Sequence, residues 1–359
     1  MKKTLLFLLG LVMLGSCAQT DSLYGDLKEQ DNTSREIRFD NGFGTKRTKA
    51  IIEDDTMLQD VKINVYAKVN GTTNIVMPND PFLIYGDSLA YSTTATKWAC
   101  ERTYFWPKKV SGSQTPRLDF FAYAPNSIGD AVVTASAIEV SFNAQRINAD
   151  ALDLVYDSTF NHTYDSIGNV AKAVAKKGYV DFNMEHKLSW VSFEAKATTQ
   201  FDSLQINSIA VKVDKSKAKL NIALADGNAT LSDTTTNYTY NFTVDTVVFN
   251  QTDTSYVRVA DFIAIPQMVS DGMTAVINYT AIIGGVKYDR CETEVKLNKG
   301  DLYEQGTVPA IWRVKNWLPA YKYTYRINFN WQEILFTATV TSWDADTNAN
   351  PGNDYYLIY

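Results

Sequence analysis

Few of this chain's residues are suited to catalysis. Its 359 residues hold only two histidines and three cysteines. His162 and His186, with Cys100 and Cys291, are scattered along the sequence, which argues against a zinc site made of closely spaced ligands. The cysteines are too few and too far apart for the disulfide framework of a small secreted protein, so Cys100 and Cys291 are expected as small buried hydrophobes. A cationic surplus is missing too: 34 Lys and Arg stand against 40 Asp and Glu, a net charge of −6, which argues against nucleic acid as a partner. There is no Gly-rich phosphate loop or dinucleotide fingerprint, so no cofactor is expected. Beyond the N-terminus no apolar run approaches the about 20 residues that cross a bilayer as a helix. Helical periodicity is confined to two short stretches, Ala149 to Val155 and Val170 to Lys177.

Two partial motifs fail for want of parts. Gly86-Asp87-Ser88-Leu89 spells the nucleophile block of an esterase and lipase family, whose serine needs a histidine three residues after an aspartate. Here Thr159 and Asn183 precede the two histidines at that distance, so Gly86-Asp87 reads as a turn and no enzyme is expected. Asp344, Asp346, Asn348 and Asn350 alternate as in a calcium loop, but Ala349 and Tyr355 occupy the places of its glycine and bidentate glutamate. No metal site is expected.

What is present begins at the N-terminus. Lys2 and Lys3 precede an apolar run from Leu5 to Leu14, and Leu14-Gly15-Ser16 sets small residues before Cys17. This order reads as a bacterial lipoprotein signal, with residues 1–16 removed and lipid attached to Cys17. An ordinary secretory signal with an incidental cysteine is the alternative, and the shared register of all four features favours the lipoprotein. Residues 17–35 are polar and read as a flexible spacer.

The rest alternates with period two. Tyr321, Tyr323, Tyr325, Ile327 and Phe329 share one face, and Ile334, Phe336, Ala338 and Val340 resume the pattern after a short polar connection, as in a hairpin. Ile63, Val65 and Ala67 alternate likewise, and 21 Tyr and 17 Phe suit pleated surfaces. An all-β chain of sandwiches follows. The polar stretch 157–178 separates two strand-rich parts, giving expected domains at 36–180 and 181–343 and a tail at 344–359. Seven Trp and the many Tyr keep open a non-polymerising surface lipoprotein that binds carbohydrate.

Four segments, in order, resemble the fimbrillin family of the Bacteroidales type. They are Tyr104-Phe105-Trp106-Pro107 with Leu118 to Pro125, Val180 to Phe193 around His186-Lys187-Leu188, Ile265-Pro266-Gln267, and the hairpin from Tyr321 to Trp343. The resemblance spans roughly residues 36–343. It implies two transthyretin-like β-sandwiches in tandem with Greek-key-like antiparallel sheets, and a structural role, open to adhesion as well, as a fimbria (pilus) subunit at the outer membrane and cell surface. Other fimbrial subunits are the implied partners, with host or bacterial surface glycans or proteins as receptors. In this family an arginine-specific protease removes the N-terminal segment with the first strand, and a neighbour's strand fills the groove. Carried onto this chain, residues 36–40 form the removable strand with Ile37 and Phe39 inward. Arg47 is the cleavage site, with Arg35 and Arg38 as competitors. The tail bearing Tyr355, Leu357 and Tyr359 is the candidate donor, its five residues being at the short end for a strand. Shaft, tip and anchor roles stay open; an anchor would keep lipid and strand.

Overall fold

The computed structural model describes residues 35–42, 58–70, 82–108, 116–145, 152–165, 177–244, 247–250, 255–299, 314–330 and 334–342. Among them the molecule is all-β, with helix limited to single turns. Eight strands form a first sheet: β1 (Arg38–Gly42), β2 (Ile63–Asn70), β3 (Phe82–Ser92), β4 (Lys97–Cys100), β5 (Arg117–Ala124), β8 (Val155–His162), β9 (Tyr179–Asn183) and β10 (Glu185–His186), in the order β10-β8-β5-β2-β3-β4-β1-β9. Its ends are tied, because the Asn183 amide donates to the Asp157 carboxylate of β8 at 2.7 Å. The sheet encloses a core of Ile37, Phe39, Ile63, Val65, Trp98, Trp106, Phe120 and Phe182, among others.

β5 shows why its sequence lacks a polar face. Leu118, Phe120, Ala122 and Ala124 point into that first core, while Phe121 and Tyr123 point the other way into a second. A strand covered on both sides reads as a nearly continuous apolar run. The second core is closed by β6 (Ala131–Val133), β7 (Ala137–Asn143) and the far half of β12 (Ser203–Ala223), through Ile138, Val140, Leu220 and Ile222. The near half of β12 continues the same sheet with β13 (Ala229–Thr243), β14 (Val248–Asn250), β17 (Thr274–Ile283) and β18 (Val286–Lys296).

Facing that half is a four-stranded sheet in the order β15-β11-β20-β21, made of β11 (Ser189–Ala197), β15 (Val257–Ala264), β20 (Tyr321–Phe329) and β21 (Ile334–Ser342). Between the two lies the third and largest core, with Phe193, Phe262, Tyr323, Tyr325, Ile327 and Phe329 buried. A short ribbon, β16 (Gln267–Met268) with β19 (Asn316–Trp317), lies beside them. The expected hairpin is β20–β21, in register from Tyr321 opposite Ser342 to Phe329 opposite Ile334.

Several expectations need correction or addition. The helix expected over Ala149 to Val155 is not formed in its described part: 152–154 is irregular and Val155 opens β8, whose ladder with β5 outweighs a weak local preference. Cys100 and Cys291 are free but half-buried rather than buried, since β4 is short and β18 lies at a sheet edge. The sheets are mostly antiparallel, yet β1 runs parallel to β9 and β11 parallel to β20. Pairing also crosses the expected boundary near residue 180, because β9 and β10 complete the first sheet and β7 pairs with β12.

β18 forms one edge. It carries Lys287, Asp289, Arg290, Glu292, Glu294 and Lys296, its pairing with β17 is broken by a bulge between Tyr279 and Ala281, and Arg290 adopts φ +59°.

Candidate functional site

β1 lies inside its sheet. It pairs in parallel with β9 from Arg38 opposite Tyr179 to Gly42 opposite Asn183, and antiparallel with β4 only at Phe39 opposite Trp98. Period-two alternation sends Ile37 and Phe39 inward, each about 5% exposed. The Phe39 ring stacks on Phe182 with centroids 6.1 Å apart and meets the edge of Phe120 at 6.2 Å. Ahead of β4's single pair, irregular backbone takes over. The Ile37 amide donates to the Tyr104 carbonyl at 2.8 Å, the Trp106 amide to the Arg35 carbonyl at 2.9 Å, and Glu36 bridges Phe105.

Gly178 sets the other wall. Its carbonyl accepts from the Arg38 amide at 3.0 Å and the Trp106 indole at 3.1 Å. Its φ is +81°, and a Cβ there would sit 3.3 Å from the Glu36 carbonyl and 3.2 Å from the Tyr164 ring. Only glycine lets β1 approach so closely. Tyr104, Trp106 and Gly178 are the groove residues that sequence reasoning did not assign. The aromatic spacing of Tyr104-Phe105-Trp106-Pro107 was the available signal.

Two of the three candidate arginines lie among the described residues, and both are engaged. Arg35 lies over the Tyr164 ring at 4.5 Å and donates to the Pro107 carbonyl at 3.2 Å. Arg38 lies over Tyr179 at 5.8 Å, faces Glu36 at 3.6 Å, and its backbone belongs to the ladder. Arg47 lies outside the described residues, as do Cys17, the alternating acidic stretch from Asp344, and the tail with Tyr355, Leu357 and Tyr359.

The catalytic fragments stay apart. The Ser88 hydroxyl is buried and has no partner among the described residues, while Asp87 accepts from the Ser88 amide and the Tyr104 hydroxyl. His186 pairs with buried Asp153 at 2.7 Å, and His162 makes a short contact with the Thr159 hydroxyl. Burial lowers the His162 pKa against a smaller opposing effect of Asp119. Near the groove, burial pushes Asp157 up to about 6, although the backbone amides of Asn183 and Ser158 pull it back. Among the described residues no group of three or more His, Cys, Asp and Glu is placed to hold a metal.

Solved structures with this architecture include proteins of several Bacteroides species. A candidate cell adhesion protein of Bacteroides uniformis superposes with a TM-score of 0.53 at 15% identity, covering 86% of this chain and 99% of that one. A fimbrial protein of Bacteroides vulgatus gives 0.50 at 15%, covering 86% and 99%. A candidate cell adhesion protein of Bacteroides ovatus gives 0.50 at 12%, covering 87% and 98%. At such identities the likeness establishes the fold alone. No curated protein matches the chain. The sequence itself matches the model of the fimbrillin-like family from residue 48 to residue 343. That match takes in β2 through β21 and most of the chain, and so the protein belongs to the fimbrillin-like family.

Proposed function

We propose that the chain is a structural subunit of a cell-surface fimbria, exported as a lipoprotein on Cys17 and assembled by strand exchange after cleavage at Arg47. Family membership supports the surface location and the association with other fimbrial subunits. The observation that carries the exchange is β1 itself: an inner strand, five residues long, with a full ladder on one side and a single pair on the other. Its departure leaves unpaired backbone along β9 and at Tyr104, and empties the pockets of Ile37 and Phe39 beside Trp98, Trp106, Phe120 and Phe182. An incoming strand restores the hydrogen bonds and fills the pockets with alternate side chains.

Energetics favour displacement over spontaneous loss. Burying Ile37 and Phe39 contributes roughly 3–6 kcal/mol, so a nicked strand stays in place until a competitor takes over pair by pair. The tail suits that competitor. Tyr355 to Tyr359 has the length of β1, and Tyr355, Leu357 and Tyr359 alternate as Ile37 and Phe39 do. Cutting at Arg35 or Arg38 would need backbone that is already bonded, and would leave strand behind. Arg47 follows β1, and the family match starts at the next residue. In this reading the first sheet, between β9 and β4, receives a strand and the C-terminal tail of another copy carries the donor. The head-to-tail contact does not close, so it builds a filament.

The test is the intact mass and N-terminal sequence of protein recovered from the cell surface, for the natural chain and for Arg47→Ala. The natural chain should begin at Thr48 without lipid and run as a ladder on gels of unheated samples, and R47A should lose the ladder. An undiminished ladder in R47A would remove Arg47 as the required site. Acylated Cys17 with β1 retained in the natural chain would point to an anchor subunit or a carbohydrate-binding lipoprotein.

A further inference from the structure

β12 is 21 residues long and serves two cores: Leu204 to Val213 pack in the third, Ala218 to Ile222 in the second. Between these stretches its ladder with β13 breaks twice, between Val213 and Lys215 and again between Lys215 and Lys217. A strand interrupted in its middle is a natural place for a hinge. Here the break is filled. The carboxamide of Gln267 accepts from the Lys215 amide at 3.0 Å and donates to the Lys215 carbonyl at 3.1 Å, the paired exchange a neighbouring strand would make. Its second hydrogen is shared with the Ile265 carbonyl, at 3.1 Å. Gln267 is only 5% exposed, and its own backbone is fixed by pairing with Trp317 in the β16–β19 ribbon.

The next residue is bound from the opposite part of the molecule. Ser216 is fully buried; its carbonyl accepts from the Ala144 amide at 2.9 Å and its hydroxyl from the Gln145 carboxamide at 2.8 Å, both just past β7. The Tyr240 hydroxyl of β13 donates to the Ala144 carbonyl at 2.8 Å. At the break, therefore, Lys215 is held by the segment leaving β15 and Ser216 by the segment leaving β7.

We infer that Gln267 is a splint: its carboxamide stiffens the broken middle of β12 and so makes the two halves of the molecule unfold as one unit. Neither the family assignment nor the strand-exchange reading requires this. A buried amide whose donor and acceptor are both used has no apolar substitute at the same position. Gln267→Met keeps length and volume and removes every one of these bonds. Gln267→Glu keeps the acceptor, and as a carboxylate cannot donate to the Lys215 carbonyl.

The experiment is hydrogen–deuterium exchange of the full chain in increasing urea, followed in peptides covering β5 and β20. In the natural protein the two should become exposed at one midpoint. In Q267M the midpoints should separate by about 0.5–1 M urea, with the Lys215 amide exchanging at least about fivefold faster in native buffer. If both midpoints fall together, or neither moves, Gln267 is not a splint. Should Q267M fail to fold, Q267E decides: separated midpoints at pH 9, where the carboxylate cannot donate, that rejoin at pH 5, where the carboxyl donates again, support the splint. A single midpoint at both pH values overturns it.

Discussion

β1 and β11 occupy the same place in two different sheets. Each opens its part of the chain, each has an antiparallel partner on one side, β4 or β15, and each has a parallel partner on the other, β9 or β20. The extents differ. β11 pairs with β20 from Trp190 to Ala197 and with β15 from Ser189 to Ala195, whereas β1 has five residues on β9 and one on β4. Ser192 at the centre of β11 is fully buried and bonds Thr324 across the ladder, so even its polar positions are locked. The same topological slot thus holds a permanent strand in one sheet and a weakly fastened one in the other. Ladder length, rather than position in the sheet, is what separates the two strands.

Breaking β11 should have the largest effect. Phe193 is fully buried and stacks on Tyr325 with centroids 5.3 Å apart. Phe193→Ala should lower global stability by about 4 kcal/mol in urea unfolding. Phe39→Ala removes a ring of the same size, yet its cost is capped near about 3 kcal/mol, because the short strand detaches before the rest gives way. Hydrogen exchange should then show β1 and the facing amide of Trp106 exposed while β11 stays protected. Equal, global losses in both variants would abolish the contrast.

Arg35→Ala should cost less, about 1 kcal/mol, through loss of the Tyr164 stack and the Pro107 carbonyl bond. The readout is a roughly fivefold faster exchange of the Ile37 amide. The smallest effect concerns pH. Asp157 is held at about 6 against an ordinary 3.8, so the folded chain takes up a proton at pH values where the unfolded chain has released it. Stability contributed by this group therefore rises as pH falls from about 6 toward 4, by about 1 kcal/mol after solvent screening. Asp157→Asn should flatten that part of the stability profile, as followed by thermal unfolding across the pH range.

Much of this was legible in the sequence, for identifiable reasons. Strict alternation gave the β20–β21 hairpin and the inward face of β2, because a half-buried sheet imposes period two, whereas the inward Ile37 and Phe39 came with the family resemblance. The apolar run Phe120-Phe121-Ala122-Tyr123 is compatible with two-sided burial of β5, but it does not say which elements form the second core. Parallel neighbours far apart in sequence leave no local trace, so β9 beside β1 could not be read. Gly178 reads as the end of a linker in the sequence, and its positive φ with the close approach of Tyr164 and Glu36 explains it. Gln267 belonged to a noticed tripeptide, but nothing in Ile265-Pro266-Gln267 announces the two bonds to Lys215, 52 positions earlier.

The charged, bulged edge at β18 has its own consequence. A chain that grows by accepting strands carries an inherent hazard, since any open edge could seed a second direction of growth and turn a thread into a clump. On β18 alternating charges and the left-handed Arg290 spoil a flat pairing surface. β18 is thereby closed as a template for a further strand, and growth of such a chain could not branch from this edge.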